Sequence, residues 1–173
     1  MSRWVNATGC SVKWVWYYLM TVIPDQVRQQ LKDRFETALT GPVHVTLYTR
    51  PGSSRLILPA GVGCATCQDA REMAELLRDA APEKITLDVV DVTRDEERAL
   101  ADGIPDVPTI AIASDSEIGR IRFQGLPTGT GFPALIDAVE RVSRAEPGLS
   151  EESLEALAKL TEPTEVMVFA TPT

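Results

Sequence analysis

The sequence predicts an α/β protein with a mixed central sheet that carries helices on both faces. From Val43 onward, short apolar strands alternate with amphipathic helices in the order β-α-β-α-β-β-α. Helices between the early strands indicate crossovers and parallel pairing, whereas Asp115 and Ser116 favour a tight turn and an antiparallel hairpin. With 173 residues, of which 44% are hydrophobic, the chain is long enough to bury a core without staples.

Each element has its own signal in the sequence. A first helix is predicted over Asp25–Leu39, where apolar residues recur every four positions. Strands are predicted where β-branched and aromatic residues cluster, and later helices where apolar residues return at helical spacing. The remaining predictions are strand Val43–Thr49, loop Arg50–Gly63, helix Gln68–Ala80, strand Ile85–Val92, helix Arg94–Ala101, strands Thr109–Ala113 and Ile118–Phe123, and helix Phe132–Val142.

Charge and cysteine content exclude several classes of function. The net charge is -8, and the 17 Lys and Arg residues form no basic run. A nucleic-acid or anionic membrane surface needs clustered positive charge, so neither partner is expected. The three cysteines, Cys10, Cys64 and Cys67, are too few and too uneven for a secreted disulfide scaffold.

Residues 1–22 form an atypical N-terminal extension that holds all three tryptophans. Its apolar run from Val12 to Ile23 contains Lys13, and the uninterrupted part is about half the ~20 residues needed to span a bilayer. Three interpretations stay open. Met20 is the true start of the protein, or the extension is a peripheral hydrophobic arm, or it is a signal peptide.

The C-terminal residues resemble an earlier part of the chain. Val166–Thr173 reads V-M-V-F-A-T-P-T and Val45–Gly52 reads V-T-L-Y-T-R-P-G, each after an amphipathic helical stretch. In the later copy that stretch is Glu151–Leu160, with Leu154 and Leu157 on one face. The pattern indicates either a second copy of the same unit or a chance recurrence of a strand before a turn.

The strongest chemical motif is Cys64-Ala65-Thr66-Cys67, which stands just before a predicted helix. Unpaired backbone N–H groups and the dipole at a helix N-terminus stabilise a thiolate, the reactive form of cysteine. Cys64 is expected to attack a substrate disulfide, and Cys67, one turn further and more buried, to resolve the mixed disulfide. Ala65 and Thr66 are expected to tune the redox potential and to contact substrate.

Two other interpretations of the cysteine pair remain. A structural zinc ion normally needs four Cys or His ligands, and only Cys10 and His44 could complete such a set. Alternatively, Cys64 and Cys67 are unreactive core residues.

A second motif leads into the third strand and reads I-P-D-V-P-T-I from Ile104 to Ile110. A cis Val107–Pro108 bond would bring the Val107 backbone towards the cysteine pair, where it could bind a substrate chain as one strand binds another. Val107, Pro108 and Thr109 are therefore predicted to bind substrate. An ordinary trans proline in a turn is the alternative.

Together these motifs resemble the thioredoxin/glutaredoxin superfamily. More narrowly, the chain is similar to the first unit of the glutaredoxin-like protein disulfide oxidoreductases, which carry two thioredoxin folds in tandem. Beyond the cysteine pair and the proline motif, three segments carry this resemblance: Phe123–Gly129 with its G-L-P-x-G pattern, Val139–Arg144 with V-x-x-V-S-R, and Val166–Thr173.

The resemblance implies a thioredoxin-like unit over residues 23–146, followed at 147–173 by a linker helix and the first strand of a truncated second unit. It implies that Cys64 is the nucleophile, Cys67 the resolving cysteine and Pro108 the cis-proline. A redox-active disulfide would act without a bound cofactor or metal.

The expected function is a cytoplasmic thiol–disulfide oxidoreductase. It would exchange disulfides with protein substrates and take electrons from a thioredoxin-reductase-like donor or from small thiols. Two alternatives are a non-catalytic thioredoxin-like binding module and the electron-donor domain of a peroxide-reductase system.

Overall fold

The computed structural model describes residues 24–50, 64–115, 121–162 and 164–170. Within these ranges, the elements from Val43 to Arg144 follow the predicted order. In chain order the elements are α1 (Asp25–Ala38), β1 (Val43–Thr49), α2 (Cys67–Ala80), β2 (Ile85–Asp91), α3 (Glu96–Ala101), β3 (Thr109–Ala113), β4 (Ile121–Gln124), α4 (Gly131–Arg144) and α5 (Glu151–Leu157).

The sheet has the strand order β2-β1-β3-β4. β1 and β2 are parallel, as predicted, with Val43 opposite Ile85. The expectation of parallel pairing is wrong for β3, which runs antiparallel to β1 with Thr109 opposite Tyr48. The reason is length: α3 has 6 residues and spans about 9 Å, too short to carry the chain back along a strand of about 23 Å. β4 completes the predicted hairpin with β3.

Side chains of β1 alternate between the two faces of the sheet. Val43, Val45 and Leu47 are fully buried and belong to the main core, which α1, α2 and α4 cover. Tyr48 points to the other face, where its hydroxyl donates to Asp102 Oδ2 at 2.7 Å, directly after α3. Helices therefore lie on both faces, as the sequence predicts.

The turn between α1 and β1 is held by Ser143 of α4. The backbone N–H groups of Thr40 and Gly41 donate to Ser143 Oγ at 2.9 and 3.0 Å, and the Ser143 hydroxyl donates to the Gly41 carbonyl at 2.8 Å. A Cβ at position 41 would lie 2.8 Å from the Ser143 carbonyl oxygen, so only glycine fits this approach. These bonds join the start of the central strand to the last helix of the unit.

Several element boundaries differ from the predicted ones. α3 begins at Glu96 and not at Arg94, because the Asp91 carbonyl accepts the N–H groups of Arg94 and Asp95 in a turn after β2. α4 extends past Val142 to Arg144 and ends where Ala145 takes a left-handed conformation, φ 53°. The predicted start of β4 at Ile118 lies outside the described residues.

The C-terminal segment differs most. α5 ends at Leu157, before the predicted Leu160, and none of its residues is buried. The strand expected from Val166 does not form: residues 164–170 have no regular secondary structure, and the exposed fractions there reach 93% at Phe169. A strand is stabilised by a paired neighbour, and no strand of the described residues pairs with this segment.

Expectations for residues 1–22 and for most of the loop Arg50–Gly63 fall outside the described residues. Among the helices that the structure does describe, none combines the length and the apolar character needed to cross a membrane.

Candidate active site

The start of α2 positions the cysteine pair. Cys64 and Cys67 form a disulfide, with their Cα atoms 5.4 Å apart. α2 begins at Cys67, and its N-cap residue, Thr66, makes no capping hydrogen bond through its side chain. The first N–H groups of a helix have no partner within the helix, so these donors and the helix dipole are available to a negative charge on sulfur.

The two sulfur-bearing residues differ in exposure. Cys67 is only 3% exposed and lies one turn before Ala70 and two turns before Ala74, which are fully buried in the core. Cys64 is half-buried, and Ala65 beside it is exposed. A second molecule can therefore reach Cys64 more easily than Cys67, which is the asymmetry that an attacking and a resolving cysteine require.

Topology brings the proline motif to the end of the sheet where α2 begins. α2 has 14 residues, about 21 Å, and it ends just before β2, so its start lies where β1 and β2 finish. β3 is antiparallel to β1, so it starts at that same end, with Thr109 beside Tyr48. We call this end of the sheet, with the starts of α2 and β3, the dithiol end. The Val107–Pro108 peptide bond there is cis.

Hydrogen bonds fix the segment that leads into β3. The Thr109 hydroxyl, which is fully buried, donates to the Asp106 carbonyl at 2.7 Å. The Gly125 N–H, directly after β4, donates to the Pro108 carbonyl at 2.8 Å. The Val107 N–H donates to the Asp106 carboxylate Oδ1 at 2.7 Å.

Sequence reasoning missed Asp106. The available signal was its residue type, because aspartate side chains often accept hydrogen bonds from nearby backbone N–H groups.

The buried residues at the dithiol end are mostly uncharged. Thr49 is 4% exposed and Thr109 is not exposed. Arg50 follows Thr49, and its Nε is buried with no hydrogen-bond partner among the described residues.

Tyr48 and Asp91 are two groups near this end whose pKa values shift. Burial, and then the hydrogen bond to Asp102, raise the pKa of Tyr48 from 10.0 to about 12. The Thr93 hydroxyl donates to Asp91 Oδ1 at 2.6 Å and lowers the pKa of that carboxyl. Because both side chains have hydrogen-bond partners within the protein, we do not assign either as the proton acceptor for Cys64 or Cys67.

His44 is separated from the cysteine pair. It lies near the start of β1, at the far end of the sheet from the start of α2, and its ring nitrogens contact Thr86 Oγ1 and Asp115 Oδ1. A zinc site that joins His44 to the cysteine pair is therefore wrong. In the described ranges, no group of three or more His, Cys, Asp or Glu side chains is placed to hold a metal ion. Cys10 lies outside those ranges.

Comparison of the sequence with protein families finds no matching family, and comparison with curated proteins finds no matching relative. Solved structures are similar to this chain. A protein disulfide oxidoreductase from Aeropyrum pernix K1 is 23% identical with a TM-score of 0.66, covering 81% of this chain and 57% of its own. The NTD_N/C domain of the alkylhydroperoxide reductase AhpF from Enterococcus faecalis V583 is 22% identical with a TM-score of 0.55, covering 78% and 59%.

The chain thus spans less than two thirds of the length of these structures. At this identity the likeness concerns the fold. Together with the strand order and the cysteine pair at the start of α2, it establishes the thioredoxin-like α/β fold that the sequence predicts.

Proposed function

We propose that this chain is a thiol–disulfide oxidoreductase that exchanges disulfides with protein substrates through Cys64 and Cys67. One observation carries the proposal. A half-buried Cys64 and a buried Cys67 close a disulfide at the start of α2, at the end of the sheet where Val107 and Pro108 also lie.

The first step is attack by the reduced protein on a substrate disulfide. The Cys64 sulfur, as a thiolate, forms a bond to one substrate sulfur, and the substrate S–S bond breaks. The second substrate sulfur leaves with the electron pair and takes up a proton. Free N–H groups at the start of α2 favour the Cys64 thiolate that this step needs.

The second step releases the substrate. Cys67, as a thiolate, attacks the Cys64 sulfur, forms the Cys64–Cys67 bond and expels the other substrate sulfur, which also takes up a proton. The substrate has then gained two electrons and two protons, and the protein holds the disulfide. A thioredoxin-reductase-like enzyme or a small thiol would restore the dithiol, and a reducing cytoplasm suits that cycle.

The residues around the disulfide would hold the substrate chain. Ala65 is exposed and Thr66 half-buried beside Cys64, so they meet whatever approaches its sulfur. Val107 lies just before β3, where its backbone can pair with an extended substrate, while Pro108 and Thr109 hold it in place. No bound cofactor or metal takes part in this scheme.

The test is a set of cysteine variants made in a Cys10→Ser background. Cys64→Ser should abolish exchange with a disulfide-bonded peptide, and Cys67→Ser should accumulate the mixed disulfide, visible by intact mass. The Cys10→Ser parent should exchange at the wild-type rate. Redox buffers should give a Cys64–Cys67 potential between about −120 and −270 mV. Exchange that persists in Cys64→Ser, or a pair that never oxidises, would refute the proposal.

A second candidate rests on the likeness to the AhpF domain. In that case the chain would be the electron-donor domain of a peroxide-reductase system, passing electrons to one peroxidase and not to many proteins. Comparing reduction of a peroxidase disulfide with reduction of unrelated protein disulfides separates the two. A non-catalytic binding module would bind partners and show no reversible exchange at all.

A further inference from the structure

The Val107 N–H, a donor that an extended substrate chain would use, already has an acceptor in the protein. Asp106 Oδ1 accepts it at 2.7 Å, and the Asp106 side chain is exposed to solvent. The Asp106 backbone is fixed in turn, because the buried Thr109 hydroxyl donates to its carbonyl. This carboxylate therefore lies beside the start of β3, where the proposed substrate chain would bind.

We propose that Asp106 is a specificity-determining residue, and that it selects disulfide substrates with Lys or Arg beside the reacting cysteine over those with Asp or Glu. The inference rests on the proposed function and deepens it by naming the substrate class. A substrate strand that pairs with Val107 must displace the Asp106 carboxylate from the Val107 N–H. The carboxylate then loses one hydrogen bond and needs another donor.

The chemistry of the carboxylate decides which partner suits it. An ammonium or guanidinium group on the substrate can donate a charge-assisted hydrogen bond to the displaced carboxylate, whereas a substrate carboxylate would be repelled. A substrate chain paired with Val107 would run past Asp106, which would bring side chains one or two positions from its cysteine within reach of the carboxylate. Arg50 adds a positive charge at the dithiol end and also affects the preference for one peptide over another. The role of Asp106 is therefore measured as the change in that preference when Asp106 is replaced.

The experiment uses the whole chain and three disulfide peptides that differ only beside the cysteine, where they carry Lys, Gln or Glu. The measured quantity is the ratio of kcat/KM for the Lys peptide to that for the Glu peptide. Asp106→Asn keeps an oxygen acceptor and removes the charge. Asp106→Glu keeps the charge. Glu36→Gln is the matched control, since Glu36 is an exposed carboxylate near the end of α1, away from the dithiol end.

Asp106→Asn should lower the ratio about tenfold, since one favourable and one unfavourable exposed charge pair are lost together. Asp106→Glu should retain most of the wild-type ratio, and Glu36→Gln all of it. Added salt should shrink the difference in this ratio between wild type and Asp106→Asn, a response that a merely structural role would not produce.

The outcomes separate this inference from the proposed function. Exchange that requires Cys64 but shows the same ratio in wild type, Asp106→Asn and Glu36→Gln would overturn the role of Asp106 and leave the oxidoreductase proposal standing. Absence of exchange with all three peptides would overturn both.

Discussion

Replacing Ser143 with alanine tests the contact that joins α4 to the start of the central strand. The Ser143 side chain is 6% exposed, and its hydroxyl makes three hydrogen bonds to the turn between α1 and β1. Alanine removes all three while changing the volume of the side chain very little. The effect on stability therefore reports these hydrogen bonds and not a cavity.

The magnitude follows from what is left behind. Each hydrogen bond contributes about 1 kcal/mol net, and a buried donor left without a partner costs about 1–3 kcal/mol. In Ser143→Ala the N–H groups of Thr40 and Gly41 both lose their acceptor. Thr40 is exposed and Gly41 is half-buried, so water can replace part of what the three hydrogen bonds contribute. We expect a loss of about 2 kcal/mol.

Urea unfolding followed by circular dichroism at pH 7 measures this loss. Thr37→Ala is the matched control, because the Thr37 hydroxyl is exposed and bonds only carbonyls of its own helix, Asp33 and Arg34. It should change the free energy of unfolding by less than about 0.5 kcal/mol. A loss in Ser143→Ala as small as that in the control would refute the reasoning.

Two further predictions concern Tyr48, on the sheet face opposite the main core, and Thr109 at the dithiol end. The raised pKa of Tyr48, about 12, means that its contribution to stability is present below about pH 10 and is lost as pH rises through 12. Unfolding measured from pH 9 to 12 should therefore show the stability advantage of wild type over Tyr48→Phe shrinking; a constant difference would contradict it. Thr109→Val removes the bond to the Asp106 carbonyl, so it should cost about 1 kcal/mol in urea unfolding and slow peptide exchange. Unchanged stability and exchange would argue against that role.

Local patterns predicted most of the elements because those patterns depend on neighbours in the chain. The four-residue spacing of Leu31, Phe35 and Leu39 gives the buried face of α1, of which Leu31 and Phe35 lie in the helix and Leu39 directly follows it. The cysteine pair was likewise expected at the start of a helix, and α2 begins at Cys67. The cis bond before Pro108 agrees with the expectation from the proline motif.

Predictions that needed a distant partner were less complete. The direction of β3 depends on the short length of α3. Hydrophobic periodicity locates a helix but does not show whether it is long enough for a parallel crossover. The apolar run from Val166 has the composition of a strand, yet no described strand pairs with it, so it stays irregular. The bond from the Val107 N–H to Asp106 joins consecutive residues, but the loop conformation it needs is fixed at Thr109, which pairs with the distant Tyr48 of β1.

The sequence by itself determined where helices and strands form, which face of each is apolar, and that two cysteines stand at a helix start, because side-chain type and spacing act over a few residues. Tertiary structure decided which strands are neighbours, that Ser143 hydrogen-bonds to Gly41, and that the Gly125 N–H donates to the Pro108 carbonyl at the dithiol end. Those outcomes depend on contacts between residues far apart in the chain, which form only when the core excludes water and each buried polar group must find a partner.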